Sequence, residues 1–183
     1  GANPALSCPQ SSETEGCGSA VPEGWVRSTE TFGTADGPGI RYVIFTQGCP
    51  HGCPGCHNPA THDFLGGILM DTGEILQDIK KHSYLSGVTF SGGDPMMQAA
   101  SCTAIARQLK EKDINIWCYT GFTFEELLTR TDCAEFLQYI DVLIDGRFER
   151  TLKSYDLLFK GSANQRIIDV PESLKQGSVV LYI

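Results

Sequence analysis

The sequence predicts an α/β protein in which short buried strands alternate with amphipathic helices. Several apolar runs of four to six residues each end at glycine or a polar residue, as buried strands do. Between them lie stretches with helical periodicity, two of which begin with a capping-box pattern. This alternation indicates βα units and a parallel sheet with right-handed crossovers. With 183 residues, 41% of them hydrophobic, the chain is large enough for one domain with its own core.

The first half of the chain is expected to contain two strands and one helix. A strand over residues 25–31 leads to a glycine-rich turn at 33–39, which cannot be helical. The apolar run at 42–45 predicts a buried strand. Asp71 followed by Glu74 predicts a helix with the aspartate as its N-cap.

The second half repeats the pattern more regularly. Thr123 and Glu126 form a capping box ahead of one of its helices. Strands are expected at 87–90, 114–119, 141–146 and 179–183, and helices from 96 to 112, from 124 and over 133–140.

Glycine and polar residues cluster just after the predicted strands. Because the carboxyl ends of parallel strands meet at one edge of a sheet, these clusters are expected to form the functional site. The clusters lie at residues 48–56, 91–94, 119–121 and 145–147.

Three cysteines in the first cluster predict a metal centre. Cys49, Cys53 and Cys56 are spaced C-x3-C-x2-C within a loop of glycine and proline, and thiolates are the ligands that iron–sulfur clusters and zinc select. A four-iron cluster usually takes four cysteines, so three leave one iron open to another ligand. The alternative is a structural zinc knuckle, because His51 and His57 lie close by.

The remaining cysteines are expected to be structural or incidental. Cys102, Cys118 and Cys133 fall within helix-like or strand-like patterns, where cysteine is most often a small buried hydrophobe. The absence of a secretion signal favours a reducing compartment over disulfides.

Two further motifs allow both a functional and a structural interpretation. In Gly92-Gly93-Asp94 the glycines let a ligand lie against the main chain and the carboxylate can pair with an ammonium group. The same residues also suit a tight turn capped by aspartate. The triplet 164–166 (Asn-Gln-Arg) either lines a cofactor pocket or caps a strand.

Together these motifs resemble the radical S-adenosylmethionine (SAM) superfamily. Residues 36–41 (DGPGIR) are similar to the glycyl-radical-enzyme activases within it, although in isolation they also suit a plain turn. Residues 91–95 (SGGDP) and 161–166 (GSANQR) resemble the branch that activates the anaerobic, class III, ribonucleotide reductase. The chain departs from the superfamily pattern at Gly55, where an aromatic residue is common, and at Asp94, where glutamate is usual.

The resemblance implies a partial, open (βα) barrel of the TIM-like, radical SAM type, with a [4Fe–4S] cluster and SAM as cofactors. It implies no catalytic acid or base, since initiation of this chemistry needs none. The cluster ligands would be Cys49, Cys53 and Cys56. The residues that contact SAM would be Gly55, Cys56, His57, Gly92, Gly93, Asp94, Asn164 and Arg166.

The resemblance also implies that the substrate is a glycine in another protein. The expected partner is the class III reductase, and a low-potential donor such as flavodoxin would supply the electron. Activation of another glycyl radical enzyme, of the pyruvate formate-lyase type, remains open because residues 29–34 (TETFGT) are similar to that branch. A radical SAM enzyme that acts on a small molecule and a zinc-bound structural module also remain open.

Charge and composition limit the partners and the location. A net charge of −8 argues against a nucleic-acid partner. No run of 18 apolar residues is present, so a cytoplasmic protein is expected. Residues 1–22, which include Cys8 and Cys17, show no periodicity and are expected to be an extension to a domain at 23–183.

Overall fold

The computed structural model describes residues 21–28, 32–33 and 37–183. The predicted extension, with Cys8 and Cys17, therefore lies almost wholly outside the described residues, as do Asp36 and the end of the first predicted strand.

The described residues contain eight strands in one sheet. The strands are β1 (Trp25–Ser28), β2 (Phe32–Gly33), β3 (Arg41–Thr46), β4 (Ile68–Asp71), β5 (Gly87–Gly92), β6 (Ile116–Tyr119), β7 (Val142–Asp145) and β8 (Arg166–Asp169).

The sheet is mixed. Its strand order is β4-β1-β3-β5-β6-β7-β8, with β2 paired to β3 outside this path. The central strands β3, β5, β6 and β7 are parallel, in a register that pairs Thr46 with Gly92 and Cys118 with Leu143. The remaining pairings, of β1 with β3 and β4, β2 with β3, and β7 with β8, are antiparallel. Among the described strands β4 and β8 end the path without pairing to each other, so the sheet is open.

The prediction of a parallel sheet is thus correct for the centre and wrong for the flanks. β8 follows β7 without a crossover helix, because the intervening segment contains only the short 3-10 turn Arg150–Leu152. A chain that turns back at the same edge of a sheet has to pair antiparallel.

The two helices with a predicted N-cap, at 72–80 and 124–128, begin where the sequence indicates, whereas the helix expected from 96 begins at Ala99 and the helix at 170–176 was not predicted. Asp71 caps α1 by accepting hydrogen bonds from the backbone N–H groups of Gly73 and Glu74, and Thr123 and Glu126 form the predicted capping box of α3. The helices are α1 (Thr72–Lys80), α2 (Ala99–Lys110), α3 (Phe124–Leu128), α4 (Ala134–Leu137) and α5 (Val170–Gln176).

The prediction of a strand at 179–183 is wrong. Helix α5 ends at Gly177, in a left-handed conformation with φ of 73°, and the chain then runs back along β8. Only an isolated bridge between Leu181 and Ile168 and the hydrogen bonds from Asp169 N to Val180 O and from Tyr182 N to Ile167 O link the two. These contacts are too few for a regular ladder.

The two faces of the sheet are occupied differently because successive side chains along a strand point to opposite sides. One face packs against α1, α2 and α4 in the main core, which contains Phe90, Cys118 and Leu143. A second, smaller apolar cluster contains Trp117 and Ile144, with Tyr119 partly buried against it.

The three described cysteines outside the motif belong to the main core. Cys102, Cys118 and Cys133 are fully buried free thiols, as predicted. Burial raises the pKa of Cys133 to about 12, which keeps the thiol protonated and inert at neutral pH.

Arg41 lies at the amino end of β3 and is 1% exposed. Its guanidinium donates to Thr89 Oγ1 at 2.8 Å and to the carbonyls of Val88 and Asn115 at 3.0 and 3.1 Å. Burial lowers its pKa to about 10. The described part of the DGPGIR motif therefore lies at the strand end opposite the cysteine loop.

Among the described residues, no helix has the length and apolar character to cross a membrane.

Candidate functional site

The cysteine loop leaves the carboxyl end of β3 and folds back on residues 58–63. The backbone N–H of Gly48 donates to Thr61 O at 2.7 Å, and that of Cys49 donates to His62 O at 3.2 Å. The side-chain amide of Gln47 donates to Ala60 O and Asp63 O. These bonds fix the start of the loop before the first cysteine.

Gly48 is required at this bend. Its φ is 105°, and a Cβ there would lie 2.6 Å from the Phe64 ring. Only glycine adopts this backbone conformation without strain.

The three motif cysteines line one cavity of about 370 Å³, a size typical of small-molecule sites. Cys49, Cys53 and Cys56 are all free and partly exposed. Burial raises the pKa of Cys49 to about 11. In the described part of the chain no three His, Cys, Asp or Glu side chains are grouped to hold a single metal ion. Each cysteine of a four-iron cluster binds a different iron, so such ligands surround a volume and do not converge on one point.

The ends of the parallel strands form the floor of this cavity, as the sequence predicts. Gly92 and Gly93 follow the buried part of β5, Tyr119 ends β6 and Gly146 follows β7. The residues that line the cavity are Cys49, His51, Cys53, Cys56, His57, Asn58, His62, Ser91, Gly92, Gly93, Tyr119, Thr120, Gly121, Gly146, Phe148, Leu157, Phe159, Lys160, Gly161 and Gln165.

The segment between β7 and β8, residues 146–165, forms the outer wall of the cavity. The Phe148 ring lies 5.1 Å from the ring of His57, centroid to centroid. The Tyr119 hydroxyl donates to Phe159 O at 2.5 Å. Gln165 Oε1 accepts from the backbone N–H groups of Gly161 and Ser162, at 2.8 and 3.1 Å.

Sequence reasoning did not assign Phe148, Phe159 or Lys160 to the site. They lie in an irregular segment with neither a period nor a metal-ligand pattern, so only tertiary contacts reveal them. The glycines and polar residues of the GSANQR motif were the one signal, and of its last three residues only Gln165 lines the cavity.

Asp94 lies behind the cavity wall. It is fully buried, and four groups of the protein surround its carboxylate. The backbone N–H groups of Met96 and Gly121 donate to it at 3.0 Å each, and the Thr120 hydroxyl lies 2.9 and 3.0 Å from its two oxygens. His51 Nε2 lies 2.6 Å from Oδ2. An ionised carboxylate only accepts, so His51 is the donor.

Arg166 and Asn164 do not line the cavity. Arg166 pairs with Asp145 at 2.5 Å and with Glu125 at 2.7 Å, and these bonds raise the pKa of the guanidinium above its usual value. Asn164 Nδ2 donates to Arg147 O at 2.8 Å. Among the described residues no partner contacts its buried Oδ1.

Gly55 also lies outside the cavity lining. A Cβ there would lie 3.3 Å from the Arg150 side chain and 3.6 Å from the Phe148 ring. The SAM-binding roles assigned to Gly55, Asn164 and Arg166 stay predictions.

The residues present fit an iron–sulfur cluster with a small ligand beside it. Three soft thiols face one cavity. The backbone N–H of Asn58 lies 3.5 Å from Cys56 Sγ, the type of contact that tunes a cluster. The cavity extends from these thiols to the glycine-lined ends of β5 and β6.

Comparison with known proteins places the chain in a family. Residues 35–168 match the family model described as a 4Fe-4S single cluster domain. The chain is 38% identical over 140 residues to the anaerobic ribonucleoside-triphosphate reductase-activating protein of Pasteurella multocida, covering 72% of this chain and 89% of the relative. The protein of the same name from Enterobacteria phage T4 is 37% identical, over 72% of this chain and 85% of the relative.

The chain therefore belongs to the 4Fe-4S single cluster domain family, and within it to the anaerobic ribonucleoside-triphosphate reductase-activating proteins. The crystal structure of QueE from Escherichia coli aligns with 66% of this chain and 71% of its own, at a TM-score of 0.45 and 14% identity. That similarity is too low to assign the fold.

Proposed function

We propose that this chain is a radical SAM activating enzyme that generates a glycyl radical on an anaerobic ribonucleotide reductase. The observation that carries the proposal is the cavity that the three motif thiols share with the glycine-rich ends of β5 and β6. Membership of the activating-protein family supports the same conclusion.

The cofactors would supply the reaction and the protein would position them. When bound, a reduced [4Fe–4S] cluster would supply the electron for reductive cleavage of SAM, and SAM cleavage would drive removal of a hydrogen atom from the substrate glycine. Cys49, Cys53 and Cys56 hold the cluster as thiolates, and their protons are released when it binds.

The cavity walls orient SAM. Gly92 and Gly93 let it lie against the main chain at the end of β5, and His57 and Cys56 border it from the cysteine loop. Phe148 and Phe159 add apolar surface to the lining, and apolar walls help to keep water from a reactive intermediate.

We further propose that residues 23–183 form one domain with the fold of a partial (βα) barrel. The four parallel strands support it, since their carboxyl ends meet at the cavity and helices cover one face. Among the described strands β4 and β8 do not pair, as expected of a partial barrel.

The names of the relatives support the reductase as the partner. An electron from a low-potential donor, of the flavodoxin class, completes the requirements of the reaction, and a cytoplasmic location suits such a donor. The names of the relatives favour the reductase activase over a pyruvate formate-lyase-type activase or a small-molecule radical SAM enzyme, and the 4Fe-4S family model favours a cluster over a zinc module.

SAM cleavage by the purified protein tests the proposal. After anaerobic reconstitution with iron and sulfide and reduction with dithionite, the protein should convert SAM into 5′-deoxyadenosine. Cys53→Ala should abolish the product and most iron binding. Cys102→Ala, a cysteine substitution in the core away from the cavity, should retain both. Bound zinc in place of iron, or cleavage that survives Cys53→Ala, would overturn the assignment.

A further inference from the structure

We propose that Asp94 is a positioning residue, which fixes the cysteine loop through His51 and does not itself contact SAM. This inference rests on the proposed function and deepens it. It differs from the role that the Gly-Gly-Asp motif suggests, in which the carboxylate itself contacts the cofactor.

The carboxylate of Asp94 has no capacity left for a ligand. Met96, Thr120, Gly121 and His51 already supply four donors to its two oxygens, and two oxygens offer about four acceptor sites. The residue is 0% exposed, whereas Gly92 and Gly93 line the cavity. An ammonium group in the cavity therefore meets the main chain of β5 before it can reach this carboxylate.

Asp94 instead contacts the cysteine loop on both sides of Cys49. Its backbone N–H donates to Gly48 O at 2.8 Å. Its carboxylate accepts from the His51 ring, whose side chain is 3% exposed. Asp94, just beyond β5, thus binds both the residue directly before Cys49 and the residue two positions after it.

The segment just after β6 also supports the position of the His51 ring. A Cβ at Gly121 would lie 2.4 Å from the ring, so glycine is what admits it. The Phe122 ring packs against it in a T-shaped arrangement, with centroids 4.6 Å apart. Since His51 lies between Cys49 and Cys53, a fixed ring fixes the course of the loop between two ligands.

The test measures the cluster before SAM is added. Asp94→Ala, His51→Ala, the double variant and His51→Gln are reconstituted anaerobically, and iron and sulfide per chain and the electron paramagnetic resonance (EPR) spectrum of the reduced cluster are recorded without SAM. SAM affinity is then measured by equilibrium binding. His82→Ala, just beyond the carboxyl end of α1, is the matched histidine control and should behave as wild type.

We expect Asp94→Ala and His51→Ala each to lose most of the cluster iron or to shift its EPR signal. The double variant should lose no more than Asp94→Ala alone, because both remove the same connection. His51→Gln, whose amide can still donate to the carboxylate, should recover cluster content.

Two results would overturn the proposal. One is a folded Asp94→Ala protein with wild-type cluster content and spectrum but at least about tenfold weaker SAM binding, which would make Asp94 a cofactor ligand. The other is a double variant that retains markedly less cluster iron than Asp94→Ala alone, which would mean that Asp94 does not act through His51. If Asp94→Ala does not fold, a folded His51→Ala protein with an unchanged cluster overturns it equally. In all these cases the wild-type protein still cleaves SAM, whereas a wild-type protein without a cluster would refute the proposed function itself.

Discussion

Gly93 is a single residue on which the close packing of the site depends. A Cβ there would lie 2.4 Å from the carbonyl oxygen of Gly48 and 2.8 Å from that of Thr61. Both are backbone atoms at the base of the cysteine loop, so neither can move away alone. The missing side chain lets β5 pack directly against the loop that carries the cluster ligands.

We predict that Gly93→Ala displaces the cysteine loop. The free energy of unfolding should fall by about 1–3 kcal/mol, the usual effect of overpacking, and the iron content after reconstitution should fall with it. Chemical denaturation and iron analysis measure the two effects.

Gly24→Ala is the control, since it also adds one methyl group but meets nothing within 4 Å. Its positive φ costs about 1 kcal/mol, yet it should leave the cluster intact. Full iron loading in Gly93→Ala would show that the close approach of β5 to the loop is not required.

At the residue scale the sequence indicated the right positions but not always their surroundings. The cysteine spacing was sufficient to identify three thiols that do share a cavity. The burial of Asp94 was not predictable, because its partners His51, Thr120 and Gly121 come from two different segments of the chain. A motif specifies a residue type at a strand end, whereas exposure depends on what packs over it.

Among the elements, the irregular segment 146–165 is the most informative. It contains no long helix or strand, yet it supplies much of the cavity's outer wall. Phe148 connects this wall to the cysteine loop through His57 and packs against Gly161, where a Cβ would lie 3.1 Å from its ring.

We predict that Phe148→Ala weakens SAM binding while leaving the cluster in place. An aromatic contact of this kind is worth about 0.5–1.5 kcal/mol, so the dissociation constant should rise by up to about tenfold. Equilibrium binding of SAM to the reconstituted protein, with iron content measured in parallel, tests this.

Leu158→Ala is the matched control in the same segment, because Leu158 is 59% exposed and does not line the cavity. It should bind SAM as the wild type does. Unchanged affinity in Phe148→Ala would remove this segment from the cofactor site.

The sequence failed to predict strands β4 and β8, which end the path of the sheet, and helix α5. Apolar runs identified β3, β5, β6 and β7, which are largely buried along their length. By contrast β4 is partly exposed along its length, and β8 is only four residues long with a charged residue at each end. Edge strands of this kind lack the hydrophobic pattern that reveals central ones.

In the whole molecule, the amino ends and the carboxyl ends of the parallel strands have different roles. Arg41 holds the amino ends of β3, β5 and β6 together through a buried guanidinium, while the cysteine loop and the glycines gather at the carboxyl ends. The alternation of strands and helices was sufficient to predict that the cysteine loop and the glycines meet at the carboxyl ends, but not that Arg41 lies at the amino ends. The antiparallel flanks depend on how the connecting segments turn, for which the sequence carries no periodic signal.

If this chain places a radical on a glycine of the reductase, EPR spectroscopy detects that radical directly. The reconstituted protein, dithionite and SAM are mixed anaerobically with the anaerobic ribonucleotide reductase of the same organism. A reductase whose substrate glycine is replaced by alanine is the control. We predict a glycyl radical signal and stoichiometric 5′-deoxyadenosine with the intact reductase, and no such signal with the control. Rapid SAM cleavage with no radical on the intact reductase would contradict the proposed activity and direct the search to another glycine-bearing partner.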